Sequence, residues 1–288
     1  MSVFSSMSKK NNIIRYILPL TITVVYWIYG TFIISVIMKI KNYQIENIEL
    51  TYAVVNIIIS VTVIGILFLL KGKFGKFSIK SYFAGIGIYG LPSVLFSIFY
   101  FTESMVWIWG KGRWFYPPNL NEIFWFNMIY YISVAVAEEL VFRTAVVNCL
   151  FRKRTYSKAG IIIGCIYSGI LFGGVHIMNF FNDPQMEMKL KIYTIVYGCL
   201  IGFVYTVIYL KTKNIFATMT LHFLWDITAE WNSMMIHQKF RNGGEYSFLS
   251  RQIPIMIFMT IIAGIILWRS KSKDLLLWSK TETENEHE

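Results

Sequence analysis

Long apolar runs alternate with short polar connections along almost the whole chain. Each run is close to the roughly 20 residues that a helix needs to cross a bilayer. The runs lie at about 14–38, 50–70, 81–109, 122–151, 157–179, 190–210, 214–234 and 251–268. This pattern predicts an all-α fold, a polytopic membrane helix bundle with about eight transmembrane helices.

The composition agrees with a membrane protein. Hydrophobic residues make up 56% of the chain and charged residues only 15%, whereas soluble domains carry about 25% charged residues. Lys9, Lys10 and Arg15 precede the first run, as in a signal peptide, but that run is too long and no small-residue cleavage site follows it. We therefore expect it to be a retained first span.

The net charge of +11 does not indicate a nucleic-acid partner, because the basic residues lie in the connections between the runs. If the N-terminus is cytoplasmic, 17 basic residues lie on the cytoplasmic side and nine on the other. Such an excess predicts a multi-pass protein of the cell membrane with both termini in the cytoplasm. Attraction to anionic lipid is a secondary consequence.

Cys149, Cys165 and Cys199 fall within or at the ends of predicted spans. Three thiols without C-x-x-C spacing favour packing over disulfides or a zinc knuckle. No segment is large enough for a soluble module, so we expect the function to reside among the membrane helices.

Ionisable side chains inside the runs are the best functional candidates, because each costs roughly 2.5–3.5 kcal/mol at a helix centre on insertion scales. They concentrate in three runs. The motifs read EELVFR (138–143), FGGVH (172–176) and HFLWD (222–226).

The spacing along a helix indicates which of these residues share a face. Glu139 and Arg143 are four apart, so they share a face and can pair. Glu138 is rotated by about 100° from Glu139 and has no partner in its own helix. A carboxylate of this kind suits general acid–base work.

The other two motifs repeat the spacing of four. Phe172 and His176 share a face, and Gly173 and Gly174 between them allow another helix to approach closely. His222 and Asp226 form a second polar pair on a third helix.

Each feature alone also has a structural explanation. A buried Glu–Arg pair is often a clamp between turns, a lone membrane histidine is often a packing residue with a hydrogen bond, and Phe172 alone would be core. Together, an unpaired Glu, two His and an Asp on three helices form a constellation that can activate water or bind a metal.

The three motifs together resemble the CAAX-prenyl-protease and bacteriocin-processing (CPBP) family of intramembrane proteases, also called the Abi family. Its pattern is E-E-x-x-x-R, then F-x-x-x-H, then H-x-x-x-N or H-x-x-x-D, each on its own membrane helix. The resemblance covers about residues 120–235. It divides the chain into N-terminal helices one to three (1–120), a catalytic core (121–235), and a last helix with a polar cytoplasmic tail (236–288).

The resemblance implies hydrolysis of a peptide bond in a membrane-associated peptide or protein. Glu138 and His176 would activate a water, and His222 with Asp226 would stabilise the oxyanion. Glu139, Arg143 and Phe172 would support the site.

The resemblance does not decide whether hydrolysis requires a bound metal. Glu138, His176 and His222 are candidate ligands of a divalent metal, zinc, with an open fourth position, but the same residues can act without metal. Ionised Asp226 can only accept hydrogen bonds. We therefore expect it to orient His222 and keep it protonated, with metal ligation as the competing role.

The substrate class is not fixed by the motifs. A prenylated protein, a bacteriocin leader and a signalling peptide all fit the family, and the Ile-, Lys- and Asn-rich composition favours a peptide over a prenyl substrate. Two other functions are alternatives, a non-catalytic immunity or scaffold protein of the same fold and a transporter or channel. The complete motif set favours the enzyme, and no repeated pair of broken helices indicates a transporter.

Overall fold

A computed structural model of the chain describes residues 12–41, 48–69, 78–110, 122–151, 157–178, 180, 187–236 and 244–275. Within these ranges the regular structure is helical and no strand occurs, which confirms the all-α prediction. The helices are α1 (Asn12–Lys41), α2 (Ile48–Leu69), α3 (Ile79–Ala84), α4 (Leu91–Gly110), α5 (Glu122–Glu139), α6 (Val147–Leu150), α7 (Lys158–Gly174), α8 (Met188–Thr212), α9 (Ile215–Ile236), α10 (Gly244–Arg269) and α11 (Ser272–Leu275).

Every predicted run corresponds to helix in the structure. By length and hydropathy, five described helices can cross a membrane, and a sixth span is added if the bent pair α3–α4 counts as one. The five are Arg15–Ile33, Glu49–Phe68, Lys158–Met178, Met188–Thr212 and Gln252–Arg269. The two remaining runs contain α5 and α9, which carry the charged motifs EELVFR and HFLWD.

The third run was predicted as one membrane span, and the structure shows it as two helical halves with a bend between them. Its two halves, Ile79–Tyr89 and Leu91–Glu103, meet at an angle of 66°. Pro92 in the first turn of α4 has no N–H to bond the preceding turn, which favours a break in the helix at this point. A Cβ on Gly90 would lie 2.6 Å from Leu221 Cδ1, so the bend also brings this span tightly against α9.

The fourth run also departs from a regular α-helix. Residues Leu140–Val146 form a π-helical segment between α5 and α6, directly after the two glutamates. The hydroxyl of Thr144 donates to the carbonyl of Leu140, and the Asn148 amide donates to the carbonyl of Thr144. Side-chain bonds of this kind help to satisfy the widened turn, and π-helical turns are frequent at functional sites.

Several helix ends are tied together at one face of the bundle. Arg15, near the start of α1, donates to the carbonyls of Leu150 and Gly160, at the end of α6 and the start of α7. Lys158 donates to the carbonyl of Ser270, just after α10. The start of α1 and the end of α10 are therefore on the same side. That this side is cytoplasmic stays a prediction, and residues 1–11 and 276–288 lie outside the described part of the chain.

Helix α8 forms the centre of the bundle, where every residue from 204 to 210 is buried. Its neighbours include α7, α9 and α10. Large apolar side chains such as Phe68 and Trp268 are exposed on the outer surface, as expected where helices face lipid. The three cysteines are free, with Cys165 buried and the other two half-buried.

Candidate active site

The EELVFR motif places one glutamate in a buried ion pair and leaves the other at the edge of the cluster. Nε of Arg143 lies 3.0 Å from Oε2 of Glu139, and both side chains are 0% exposed. The Glu138 side chain is 17% exposed. The pairing predicted from the spacing of four is therefore present, although Arg143 lies in the π-helical segment. Glu138 is the more exposed of the two carboxylates.

Glu139 has a second partner that helical spacing does not show. Its Oε1 lies 3.2 Å from Nδ1 of His222, which belongs to α9 and is 83 positions away in sequence. Glu139 thus joins Arg143 on its own helix to His222 on another. Since a buried carboxylate is costly without partners, this double pairing accounts for its complete burial.

The other ring nitrogen of His222 faces two carboxylates. Nε2 lies 3.4 Å from Oδ2 of Asp226 and 3.8 Å from Oε2 of Glu138. The His222 side chain is 9% exposed and that of Asp226 is 21% exposed. We name Glu138, Glu139, Arg143, His222 and Asp226 the charged cluster. Each ring nitrogen of His222 therefore has a carboxylate oxygen within 3.4 Å that can accept a hydrogen bond from it.

Phe172 forms an aromatic wall beside the charged cluster. Its ring centroid lies 4.9 Å from the guanidinium carbon of Arg143 and 5.8 Å from the His222 ring. It also lies 6.1 Å from the His176 ring. Phe172 therefore contacts both histidines, and its face offers the buried guanidinium a cation–π interaction.

His176 lies at the end of α7, in a short 3₁₀ segment, Val175–Met178. It is close enough to His222 to interact electrostatically. Among the described residues, His176 makes no direct ion pair with Glu138. The structure thus brings His176 to Phe172 and near His222, but not into an ion pair with Glu138.

Helix α8 contributes to the site although it carries none of the three motifs. Tyr205 is fully buried, with its ring 5.9 Å from the His222 ring and 5.8 Å from the guanidinium carbon of Arg143. Tyr26 of α1 packs edge-to-face on Phe142 at 5.9 Å and is near enough to Glu138 to interact electrostatically. Sequence reasoning missed both residues, because a tyrosine within an apolar run resembles any other core aromatic.

Two glycines let α8 approach the FGGVH motif. A Cβ on Gly198 would lie 2.7 Å from Cδ2 of His176 and 2.8 Å from Cα of Gly173. A Cβ on Gly173 would collide with the backbone of Cys199. The sequence predicted a close approach at both Gly173 and Gly174, but a Cβ on Gly174 meets nothing within 4 Å. Only Gly173 serves the contact, and α8 is the partner.

The first prediction concerns this contact. The variant Gly198→Ala is expected to lower the thermal unfolding temperature in detergent, since overpacking costs about 1–3 kcal/mol. Gly174→Ala is the matched control and should unfold close to the parent protein, because its added methyl group enters open space. Equal unfolding temperatures for the two variants would contradict the close packing of α8 on His176.

The arrangement does not match a ready-made metal site. Across the described residues, no group of three or more His, Cys, Asp or Glu side chains is placed to hold a metal ion. Nε2 of His222 faces the carboxylate oxygens of Asp226 and Glu138, whereas His176, the third predicted ligand, makes no ion pair with Glu138.

Comparison with protein families gives one match. Residues 120–228 match the family described as type II CAAX prenyl endopeptidase, Rce1-like. The matched region runs from just before α5 to the second half of α9, and it contains all three motifs. No curated protein and no solved structure matches the chain significantly.

Proposed function

Because residues 120–228 form an Rce1-like domain of the CPBP family of CAAX proteases, we propose that the protein is an intramembrane endopeptidase. It hydrolyses a peptide bond of a membrane-associated peptide or protein. The observation that carries the proposal is the convergence of the three motifs on His222. The motif helix α5 supplies Glu138 and Glu139, α7 supplies Phe172, and α9 supplies His222 and Asp226.

Glu138 is the general base in this proposal. It is the one glutamate of the motif that stays partly exposed and is not committed to Arg143. A water placed between Glu138 and His176 would give its proton to the Glu138 carboxylate while its oxygen attacks the scissile carbonyl. General bases of this kind contribute about 10²–10⁴-fold to the rate.

His222 stabilises the oxyanion that forms in this attack. Its Nδ1 is held by Glu139, which Arg143 holds in turn, so the ring has a fixed orientation. The Nε2–H faces Asp226 and Glu138 in the absence of substrate, and with substrate bound it would donate to the developing negative charge on the substrate oxygen. The proton taken by Glu138 passes to the leaving amine as the peptide C–N bond breaks.

Two supporting residues shape the site. Phe172 covers the Glu139–Arg143 pair and separates it from His176. Tyr205 packs against the same guanidinium and against His222. Excluding bulk water in this way strengthens the electrostatic contacts of the cluster.

The substrate is expected to lie in or on the membrane, because the cluster is surrounded by membrane helices. The family description favours a prenylated CAAX C-terminus, and the composition favours a bacteriocin leader or a signalling peptide. A non-catalytic immunity or scaffold role would not need Glu138 and Asp226 to be partly exposed beside His222. A transporter is less well supported, since the described residues contain one bent span and not a repeated pair.

The second prediction tests the function directly. Purified protein in lipid vesicles is mixed with two peptide sets, one with prenylated CAAX ends and one with unmodified apolar leader sequences, and products are identified by mass spectrometry. The parent is expected to cleave a peptide in one set, and His176→Ala to lose cleavage while remaining folded and inserted. Equal cleavage by parent and variant would refute the proposed role of His176, and no cleavage of either set by the parent would favour the scaffold function.

The third prediction addresses the metal hypothesis. If the cluster acts as arranged, cleavage by the purified protein should survive chelator treatment, and Asp226→Asn should retain activity, because an amide oxygen can still accept from Nε2 of His222. One equivalent of bound zinc, with activity lost on chelation and restored by zinc, would instead establish the metalloprotease with Glu138, His176 and His222 as candidate ligands.

A further inference from the structure

An apolar groove runs along the outside of the bundle between α2, α5 and α9. Its volume is about 540 Å³, within the roughly 300–1,000 Å³ of small-molecule sites. Its walls include Ile64, Ile132, Val136, Leu140, Met219 and Phe223. No member of the charged cluster lines it, and neither does His176. The groove is therefore separate from the proposed site of hydrolysis.

One end of the groove is polar and basic. Lys213 and Asn214, which connect α8 to α9, line this end. Asn214 caps the first turn of α9 by accepting from the backbone N–H of Phe216 at 3.0 Å. Lys213 lies at the face of the bundle where Arg15 and Lys158 also lie, since all three cations are near enough to Cys165 to act on it electrostatically. The groove thus begins at a basic surface and continues into the membrane.

The backbone of Lys213 fixes its position at the end of α8. Its φ of 55° is left-handed, and no other non-glycine residue in the described ranges has a positive φ. Glycine and asparagine are the favoured residues at such a position after a helix. Lys213 occupies this position as the cap of α8, with its backbone N–H donating to the carbonyl of Tyr209 at 2.7 Å. The ammonium donates to the carbonyl of Leu210, and its positive charge lies at the polar end of the groove.

We propose that the groove binds an anionic phospholipid, with one acyl chain along α5 and α9 and the phosphate against Lys213. The lengths agree. From Ile215 to Phe223 a helix rises by about 12 Å, most of the roughly 15 Å thickness of one hydrocarbon leaflet. The apolar walls suit a chain of methylene groups, and the lysine at the membrane surface suits a phosphate.

The bound lipid would bridge the two helices that Glu139 and His222 join. Val136 and Leu140 flank the glutamates on α5, while Met219 and Phe223 flank His222 on α9. A chain packed against both pairs adds contact between α5 and α9. Since a ligand that binds only the folded state stabilises it, the lipid should raise resistance to unfolding. This expectation does not depend on the proteolytic activity.

Native mass spectrometry of delipidated protein can test the proposal with two lipids of identical chains, palmitoyl-oleoyl phosphatidylglycerol and phosphatidylcholine. The parent should retain the anionic lipid about fivefold better, the effect of one lysine near the membrane surface. Lys213→Asn should abolish the preference, and asparagine tolerates the left-handed backbone. Ile132→Trp should reduce retention of both lipids by filling the groove.

Matched controls separate the groove from the general lipid surface. Lys211→Gln removes a neighbouring charge, and Ile129→Trp adds the same bulk one turn away, where the side chain is also about half-exposed (43% against 47% at Ile132). Both controls should behave as the parent. The anionic lipid should also raise the thermal unfolding temperature of the parent but not of Lys213→Asn. Equal retention of the two lipids by the parent, or equal losses in variants and controls, would overturn the proposal.

Discussion

The variant Glu138→Gln is expected to lower kcat by a factor of about 10²–10⁴, the usual contribution of a general base. Glutamine keeps the size of the side chain but cannot accept the proton of the attacking water. The thermal unfolding temperature should stay close to that of the parent, because Glu138 is partly exposed and its nearest cationic nitrogen, Nε2 of His222, is 3.8 Å away. Activity and stability can both be measured on the same purified protein in vesicles.

Glu138→Asp is the informative companion variant. It retains a carboxylate but withdraws it by one methylene group, so it should keep more activity than the glutamine variant and less than the parent. Cleavage by Glu138→Gln at the parent rate would remove Glu138 from the mechanism. A matching loss of folded protein in this variant would mean that the glutamate is structural.

The second large effect concerns stability and the Glu139–Arg143 pair. Glu139→Gln leaves the Arg143 guanidinium buried without an opposite charge, and breaking a buried pair in this way costs about 3–5 kcal/mol. Arg143→Met should cost less, because Glu139 keeps His222 as a cationic partner at 3.2 Å. The double variant should recover much of the stability lost in Glu139→Gln, since replacing a whole buried pair by less polar side chains is often neutral.

Peptide cleavage and resistance to unfolding should not change together across the parent, Glu139→Gln, Arg143→Met and the double variant. The double variant lacks the carboxylate that holds Nδ1 of His222, so the orientation of the imidazole is lost even where the fold is restored. Resistance to thermal unfolding and peptide cleavage, measured across the four proteins, separate the two roles of Glu139. Additive stability losses in the double variant would contradict the coupling, and full recovery of cleavage would show that the Glu139–His222 contact has no part in catalysis.

The membrane architecture and most of the residues of the candidate site could be predicted from the sequence. A bilayer requires each spanning segment to satisfy its own backbone hydrogen bonds, so hydropathy and length determine the helices locally. Because charged side chains are costly in such segments, the sequence alone identified the candidate site residues. They are Glu138, Glu139, Arg143, His176, His222 and Asp226. Fixed helical spacing correctly predicted the Glu139–Arg143 pair, because i and i+4 remain neighbours even where the turn widens.

The deviations from regular helix were harder to foresee. Pro92 was a local signal for the bend before α4, and it was present in the sequence. The π-helical segment Leu140–Val146 had no comparable signal. A widened turn gives up good hydrogen-bond geometry, so it persists only where the surrounding packing favours it. That packing, with six of the seven residues of the segment buried, belongs to the assembled bundle.

The sequence by itself determined which residues are costly in a membrane and which neighbours they have on their own helix. Only the tertiary structure decided which helices meet. It joined Glu139 to His222, placed Phe172 between two histidines, and brought Tyr205 of the motif-free helix α8 against Arg143. The physical reason is the sequence separation over which each effect acts. The geometry of a helical turn relates residues about four positions apart. Contacts between helices depend on the shape and charge of surfaces whose residues are far apart in the chain.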